Sequence, residues 1–403
     1  MSGDYCNLTK LREFPLWEKI DQKRIPLSFE LEITARCNNE CRHCYINLNA
    51  GDKAAREMEL TLDEIGHIAG QAVKLGSLWC LLTGGEPLLR DDFKDIYILL
   101  KRKGLLVSLF TNACLITPDH VDLFKKYPPR DVEVTVYGVS RETYEKVTRK
   151  PGSYAAFRRG LNLLLENRIK VTLKAMALRS NFRELPAVAA FCRQHTKDFF
   201  RFDPFLHLRY DGNDSRNREI LAERLPSEEI VRIEQADEKR FGALKKNCEK
   251  FFIKRNSNSD CRHLFYCQAG KNSFTVSPDG FFRLCASLWQ SNCVYDLKKG
   301  TLAEAWNVLV PSVRSLTSSD PQFLEKCHSC PLINLCLWCP AHAHLESGRL
   351  DAWIDYFCQV AHARAEMLKS KTKKQGSASI ALKKNSKSIL NSGPRRKDTP
   401  PIS

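Results

Sequence analysis

Three cysteines stand at a spacing that can do chemistry. They lie in Arg36-Cys37-Asn38-Asn39-Glu40-Cys41-Arg42-His43-Cys44-Tyr45, a C-x3-C-x2-C run. Thiolates so spaced can each hold one iron of a cubic 4Fe–4S cluster and leave the fourth iron open. An open iron on a low-potential cluster can bind and reduce a ligand as well as pass electrons. Leu27–Thr34, just upstream, alternates like a strand. Forty residues on, Leu81-Leu82-Thr83-Gly84-Gly85-Glu86-Pro87 follows a second apolar run. Paired glycines let a backbone approach a small ligand closely. The competing reading of the cysteine triplet is a structural zinc knuckle.

A second set of cysteines comes late: Cys261, Cys267, Cys285, Cys327, Cys330, Cys336, Cys339 and Cys358. Two short strands around Ser277-Pro278-Asp279-Gly280 form a predicted hairpin with Cys285 at its exit. Eight thiols make two sets of four, which suits two 4Fe–4S clusters or two zinc sites. Cys6, Cys80, Cys114, Cys192, Cys248 and Cys293 fall outside these patterns and read as small buried or incidental thiols. His328, His342 and His344 lie near the late cysteines and read as supporting or surface residues.

The elements that must position these residues follow an α/β rhythm. Strand-like runs are Leu27–Thr34, Leu78–Thr83, Leu105–Thr111, Val132–Tyr137, Val171–Leu178 and Phe199–His207. Helical segments alternate with them: Thr61–Leu75, Asp92–Lys103, Pro118–Lys126, Arg141–Val147 with Tyr154–Glu166, and Phe182–His195. Thr61 and Glu64 read as a capping box, and Thr117-Pro118 as a cap with proline in the first turn. Six β-α repeats imply parallel strands, in an open sheet or a partial barrel. Pro226–Phe241 is amphipathic and lies in a connector.

The two motifs in this order resemble the radical S-adenosylmethionine (SAM) superfamily. The late cysteines resemble its SPASM extension, found on many peptide-modifying members. The resemblance covers roughly residues 27–368. It implies a partial (β/α)6 barrel at 27–210, after a 1–26 extension. A connector at 211–260 would precede a SPASM domain at 261–368, with a basic tail at 369–403. In barrels of this kind chemistry gathers at the C-terminal ends of strands, where both motifs fall.

The resemblance also implies roles. Cys37, Cys41 and Cys44 would hold a 4Fe–4S cluster whose open iron takes the amino and carboxylate groups of SAM. One electron then cleaves SAM, and the 5′-deoxyadenosyl radical abstracts a substrate hydrogen. Gly84, Gly85 and Glu86 would meet the methionine amino group, with Pro87 stiffening them. His43 and Tyr45 would lie near the adenine. Thr135 and Arg149 occupy places where relatives contact the ribose or carboxylate. Cys261, Cys267, Cys285 and Cys339 would hold one auxiliary cluster, and Cys327, Cys330, Cys336 and Cys358 a second. Only two residues separate Cys336 from Cys339, where the family usually has three.

The expected activity is maturation of a ribosomally made peptide or protein by cross-link, thioether or epimer formation. A flavodoxin or ferredoxin-type protein would supply electrons. The 26 residues before Leu27 are too short for a recognition domain, so a separate precursor-recognition protein is expected. Sulfatase-maturing enzymes place an Asp after the hairpin Cys; here that residue is Ala286. Haem-pathway enzymes share the two-domain layout. From another class, a non-catalytic iron–sulfur or zinc scaffold would keep the cysteines but not Gly84–Pro87.

Composition narrows the setting. The chain has 403 residues, 43% of them hydrophobic, enough for two cores. Seventeen cysteines behind an N-terminus with no signal-peptide pattern favour metal or redox chemistry over disulfides, and a cytoplasmic setting. No apolar stretch reaches the ~18–20 residues of a membrane helix. Of the net charge of +16, residues 369–403 carry +9, from ten Lys/Arg against Asp398. That tail reads as a solvated, disordered extension; no nucleic-acid motif accompanies it.

Overall fold

The computed structural model describes residues 16–196, 200–242, 244, 262–328, 330–332, 335–336 and 338–369. Six strands are parallel and follow chain order: β1 (Ser28–Thr34), β2 (Trp79–Gly84), β3 (Leu106–Thr111), β4 (Asp131–Thr135), β5 (Val171–Met176) and β6 (Arg201–Asp203). The helices between them are α1 (Leu62–Lys74), α2 (Phe93–Arg102), α3 (Pro118–Lys126), α4 (Arg141–Thr148), α5 (Ser153–Glu166) and α6 (Leu185–His195). The β-α rhythm implies these parallel strands with helices between them, and the resemblance selects the radical SAM-type barrel among the arrangements that rhythm allows.

Strand alternation divides the side chains by job. Phe29, Leu31 and Ile33 of β1, Leu82 of β2, Val107 and Leu109 of β3, Val132 and Val134 of β4, and Leu173 of β5 are buried. Their sequence neighbours Glu30, Leu81, Thr83, Phe110, Thr135, Lys174 and Met176 line a cavity on the other face. A one-residue slip of any strand would exchange the two sets.

The local signals hold. Thr61 and Glu64 form the predicted capping box, with the Thr61 N–H donating to Glu64 Oε2 at 2.8 Å. Thr117 opens α3 with Pro118 in its first turn. The expected run 199–207 is a strand only over Arg201–Asp203. Pro204 has no N–H to donate, so the ladder stops there. Position 199 lies outside the described residues.

The predicted hairpin is present as β7 (Ser273–Val276) and β8 (Phe281–Arg283), followed by β9 (Val294–Asp296). It does not stand apart. β7 pairs in parallel with β1, Glu30 opposite Thr275, giving the order β9-β8-β7-β1-β2-β3-β4-β5-β6. Phe29 and Phe274 stack across that seam at 5.3 Å.

The chain divides into two compact units. Of the described residues, the first holds the sheet, its helices, α7 (Asp214–Glu223), 262–328, 330 and 338–354 with α9 (Pro340–Ser347). Of the described residues, the second holds 227–242 and 244 with α8 (Ser227–Ala236), 331–332, 335–336 and 355–369. Inside the second unit, Arg364 grips Glu234 through two bonds of 2.6 and 3.0 Å and donates to the Leu335 carbonyl. No helix among the described residues is long and apolar enough to cross a membrane.

Candidate active site

The C-x3-C-x2-C loop leaves the end of β1 and is fixed before any ligand arrives. Arg36 is buried and forks onto Glu59, at 2.8 and 3.1 Å, while also donating to the Ala50 carbonyl. Such a bidentate pair is rigid. Thr34 Oγ1 donates to the same carboxylate at 2.5 Å. Buried Arg90 donates to the carbonyls of Ile33 and Leu60, each at 2.9 Å. The loop returns through a two-residue ladder, Arg36–Cys37 against Leu48–Asn49. Its middle is tied to α4, since the N–H groups of Glu40 and Arg42 donate to the Thr148 and Val147 carbonyls. Arg216 donates to the Cys41 carbonyl at 2.9 Å, and Arg209 to the Asn47 carbonyl at 3.1 Å.

Cys37, Cys41 and Cys44 all line one cavity of about 450 Å³. His43, Tyr45, Gly84, Gly85 and Thr135 line it too. The Asn39 N–H lies 3.4 Å from Cys37 Sγ, and Asn112 Nδ2 lies 3.7 Å from it. Burial pushes the Cys37 and Cys41 thiols well up; after burial, Glu86 adds to the rise at Cys37 and Cys44 to that at Cys41. Cys114 sits beside the loop, 4.0 Å from Asn39 Nδ2.

The glycine pair serves the chain first. A Cβ on Gly84 would stand 2.2 Å from the Thr34 carbonyl oxygen, and one on Gly85 2.3 Å from that of Arg36. Gly84 also has φ +129°. The Gly85 and Glu86 N–H groups donate to those two carbonyls at 2.7 and 2.9 Å. The second motif is thus stitched to the cysteine loop, edge to edge. Glu86 is fully buried and does not line the cavity. It accepts from Thr111 Oγ1, the Asn112 N–H and the Leu88 N–H, at 2.8 to 3.1 Å. Burial nevertheless raises its carboxyl to about 7. Pro87 begins a buried single turn, Pro87–Leu89. Glu86 therefore shapes the β3 exit, and Asn112 reaches the thiols from there.

Two predicted residues behave differently. His43 is buried, its ring 5.2 Å from Tyr137, and burial lowers it to about 4, so it is neutral at pH 7. Arg149 is absent from the cavity wall. It caps α4 at φ +53° and pairs with Glu219, which also pairs with Arg216. Its reach to the cysteine loop is indirect, through Arg216. Glu59, Arg90, Arg209, Arg216 and Asn112 were not legible as site residues. Each acts through a partner distant in sequence, and only the fold supplies that partner.

Among the late cysteines, Cys267, Cys285 and Cys339 are brought within electrostatic reach of one another. Cys285 leaves the hairpin, and Cys339 caps α9, accepting the His342 N–H at 3.4 Å. Burial pushes Cys339 up to about 12. Cys261 lies outside the described residues. Cys327 and Cys330 share a turn in the first unit. Cys336 lies in the second, its Sγ 3.6 Å from the Phe357 carbonyl, next to Cys358.

The residues fit an iron–sulfur cluster and a polar small molecule. Three thiols line one cavity, a set that suits a cluster in which each thiolate holds its own iron. Among the described residues, no three Cys, His, Asp or Glu side chains crowd one point as a single ion requires. Asn39 Oδ1 and His43 Nδ1 are buried at that cavity without hydrogen-bond partners among the described residues. Buried polar atoms are ordinarily paired, so both are suited to a bound partner.

Residues 31–192 match the model of the radical SAM superfamily, and this part of the chain is a radical SAM domain. The chain is 30% identical to Fe-coproporphyrin III synthase of Methanosarcina barkeri (strain Fusaro / DSM 804), over 46% of its own length. It spans only 44% of that relative. It is 25% identical to PqqA peptide cyclase of Gluconobacter oxydans (strain 621H), over 76% of this chain and 82% of that one. The fold is that of Streptococcus suis SuiB, solved with S-adenosylmethionine: TM-score 0.62, 16% identity, covering 88% of this chain and 84% of that one.

Proposed function

We propose that this protein is a radical SAM enzyme that removes a hydrogen atom from a peptide or protein and so matures it. The observation that carries this is one cavity lined by all three cysteines of the loop and by Gly84 and Gly85. When bound, the cluster and SAM supply one-electron cleavage of a carbon–sulfur bond and a 5′-deoxyadenosyl radical. The chain's own residues do the rest. Cys37, Cys41 and Cys44 would hold the cluster. The Gly84–Gly85 edge would face the methionine end of SAM, His43 and Tyr45 the adenine, and Thr135 the ribose. The buried Arg36–Glu59 and Arg90 contacts keep the loop from moving as the cluster binds, and the aromatic walls keep water from the reacting atoms.

The peptide reading is favoured over haem-pathway chemistry by coverage. The match to the peptide cyclase runs over 82% of that enzyme, whereas the match to the coproporphyrin synthase covers less than half of it. Ala286 removes the carboxylate that sulfatase maturation would use. Cys261, Cys267, Cys285 and Cys339 would hold an auxiliary cluster suited to electron relay. The set Cys327, Cys330, Cys336 and Cys358 remains an expectation from sequence. A flavodoxin or ferredoxin-type donor, a separate precursor-recognition protein and a cytoplasmic setting complete the proposal.

Anaerobic reconstitution followed by SAM and dithionite tests it. About 12 irons per chain with 5′-deoxyadenosine formed is the expected result; about eight irons would remove one auxiliary set and about four both. Zinc in place of iron, with SAM untouched, would overturn the enzyme reading in favour of a scaffold.

A further inference from the structure

The inward face of β1 carries two glutamates, and among the described residues only Glu32 forms an ion pair. Glu32 is 1% exposed and pairs with Arg283. Arg283 also donates to the Ala286 carbonyl at 2.5 Å and lies 3.8 Å over the Trp289 ring, and its buried Nε has no hydrogen-bond partner among the described residues. Glu30 has no ion pair among the described residues. Its one hydrogen bond comes from Thr275 Oγ1 at 3.2 Å. The other nearby cation, Lys174, lies 2.9 Å from Glu133 and 3.4 Å above the Phe110 ring. Arg130 is exposed and lies over the ring of Trp79.

Glu30 also stands where two cavities share a wall. The first is the cavity of the three cysteines. The second, of about 480 Å³, is lined by Trp79, Phe274 and Cys285 among others. Glu30, Leu81 and Phe110 line both. A half-buried carboxylate with one neutral hydrogen bond among the described residues carries a desolvation cost for the chain alone. Burial raises its pKa against the pull of the Thr275 hydrogen bond and of the more distant charges of Arg283 and Lys174. A cation entering the lumen would offset that cost, and Phe110, Phe274 and Trp79 offer apolar wall to an alkyl stem.

We infer that Glu30 selects a cationic side chain, that of lysine or arginine, in the peptide substrate taken into this lumen. This rests on the peptide reading above and names the substrate's chemical class. SAM is itself cationic at its sulfonium and ammonium, so the test must separate the two ligands.

Reconstituted holoenzyme with SAM is titrated with three otherwise identical heptapeptides, carrying lysine, acetyl-lysine or norleucine at the centre of a Gly/Ser/Ala sequence. Saturation-transfer NMR reads the affinity. The lysine peptide should bind about tenfold tighter than either neutral analogue, the effect of one charge-assisted hydrogen bond. In Glu30→Gln that preference should shrink to within about twofold, and Glu30→Lys should turn it toward a glutamate peptide. Glu30→Asp should keep part of it, and matched iron content shows that the variants have folded. Equal binding of the three peptides to the native enzyme overturns the inference, whatever the variants do. So does a preference that survives Glu30→Gln, or a loss of SAM affinity with the preference intact. Lysine preference without any deoxyadenosine formation would instead sink the enzyme reading and leave the cation site standing.

Discussion

The Cys37–Cys44 loop and the Cys267/Cys285/Cys339 set solve the same problem in opposite ways. The loop draws its three thiols from eight consecutive residues and is clamped by buried groups: Arg36 on Glu59, Arg90 on Ile33 and Leu60, Arg216 on Cys41. The late set draws its thiols from a loop, a hairpin exit and a helix cap spread over 73 positions from Cys267 to Cys339 inclusive. Among the described residues its support is thinner: Arg314 on the carbonyls of Cys267 and Ala269, and the cap at Cys339. The loop is held by the chain's own contacts. Under the proposed function, a cluster bound at the late set would do more of the holding, and its binding would also be folding free energy.

The largest expected effect separates the loop from the late cysteine region chemically. Cys41→Ala should abolish deoxyadenosine formation. Cys336→Ala, in the late region, should leave SAM cleavage measurable and stop product formation. Both products are quantified in one chromatographic assay. Equal deoxyadenosine from Cys41→Ala and the native enzyme would remove the loop from the chemistry, and full product yield from Cys336→Ala would remove the late region.

Next comes the clamp. Glu59→Gln leaves Arg36 buried and unpaired, its side chain only 7% exposed. Breaking such a pair costs about 3–5 kcal/mol. Unfolding midpoints should fall accordingly, and iron retention with them. A loss below about 1 kcal/mol, within the range of an exposed pair, would mean the loop does not depend on this contact. Stripping iron from the native protein sharpens the same contrast. Hydrogen exchange should rise more around 267–288 than around 34–48.

A smaller effect concerns protons. Burial raises the Cys37 and Cys41 thiols in the cluster-free chain, with Glu86 adding at Cys37. Both are therefore protonated at pH 7 and must lose a proton when a cluster loads. Loading should strengthen as pH rises from about 7 to 9, by up to about tenfold per unit for each proton displaced. Iron affinity independent of pH over that window would contradict the burial of these thiols.

Much of this architecture was legible because it is local. The capping box at Thr61–Glu64, the Pro-Asp-Gly hairpin and the strand alternation each depend on residues within a few positions of one another. The cysteine loop and Gly84–Gly85 were legible as motifs for the same reason. What escaped was partnership across the sheet. Nothing in the run Phe274–Val276 says that it will lie beside Phe29–Leu31. Nothing near Glu59 says that it will anchor Arg36. The resemblance places Glu86 in the segment at the methionine amino group, and the structure adds that its carboxylate accepts from Thr111 and the Asn112 N–H. A motif marks where residues are needed, and the fold decides which of them face the ligand.

Arg149 is the sharpest instance and gives the smallest effect. Its guanidinium is held by Glu219, both side chains are 28% exposed, and it does not line the cavity. A partly exposed pair of this kind is worth about 0–1 kcal/mol. SAM affinity should change by less than about threefold in Arg149→Ala, a change of under 1 kcal/mol. Its backbone adds a second, separable term. At φ +53° the residue closes α4 in the left-handed region, where glycine is unstrained and alanine is not. Arg149→Gly should therefore be more stable than Arg149→Ala by about 1 kcal/mol although both lose the ion pair. Thermal unfolding of the two variants side by side reads that difference. Equal stability would mean that the helix end relaxes away from the left-handed turn. A tenfold loss of SAM binding in both would mean that the side chain leaves Glu219 and turns to the ligand after all.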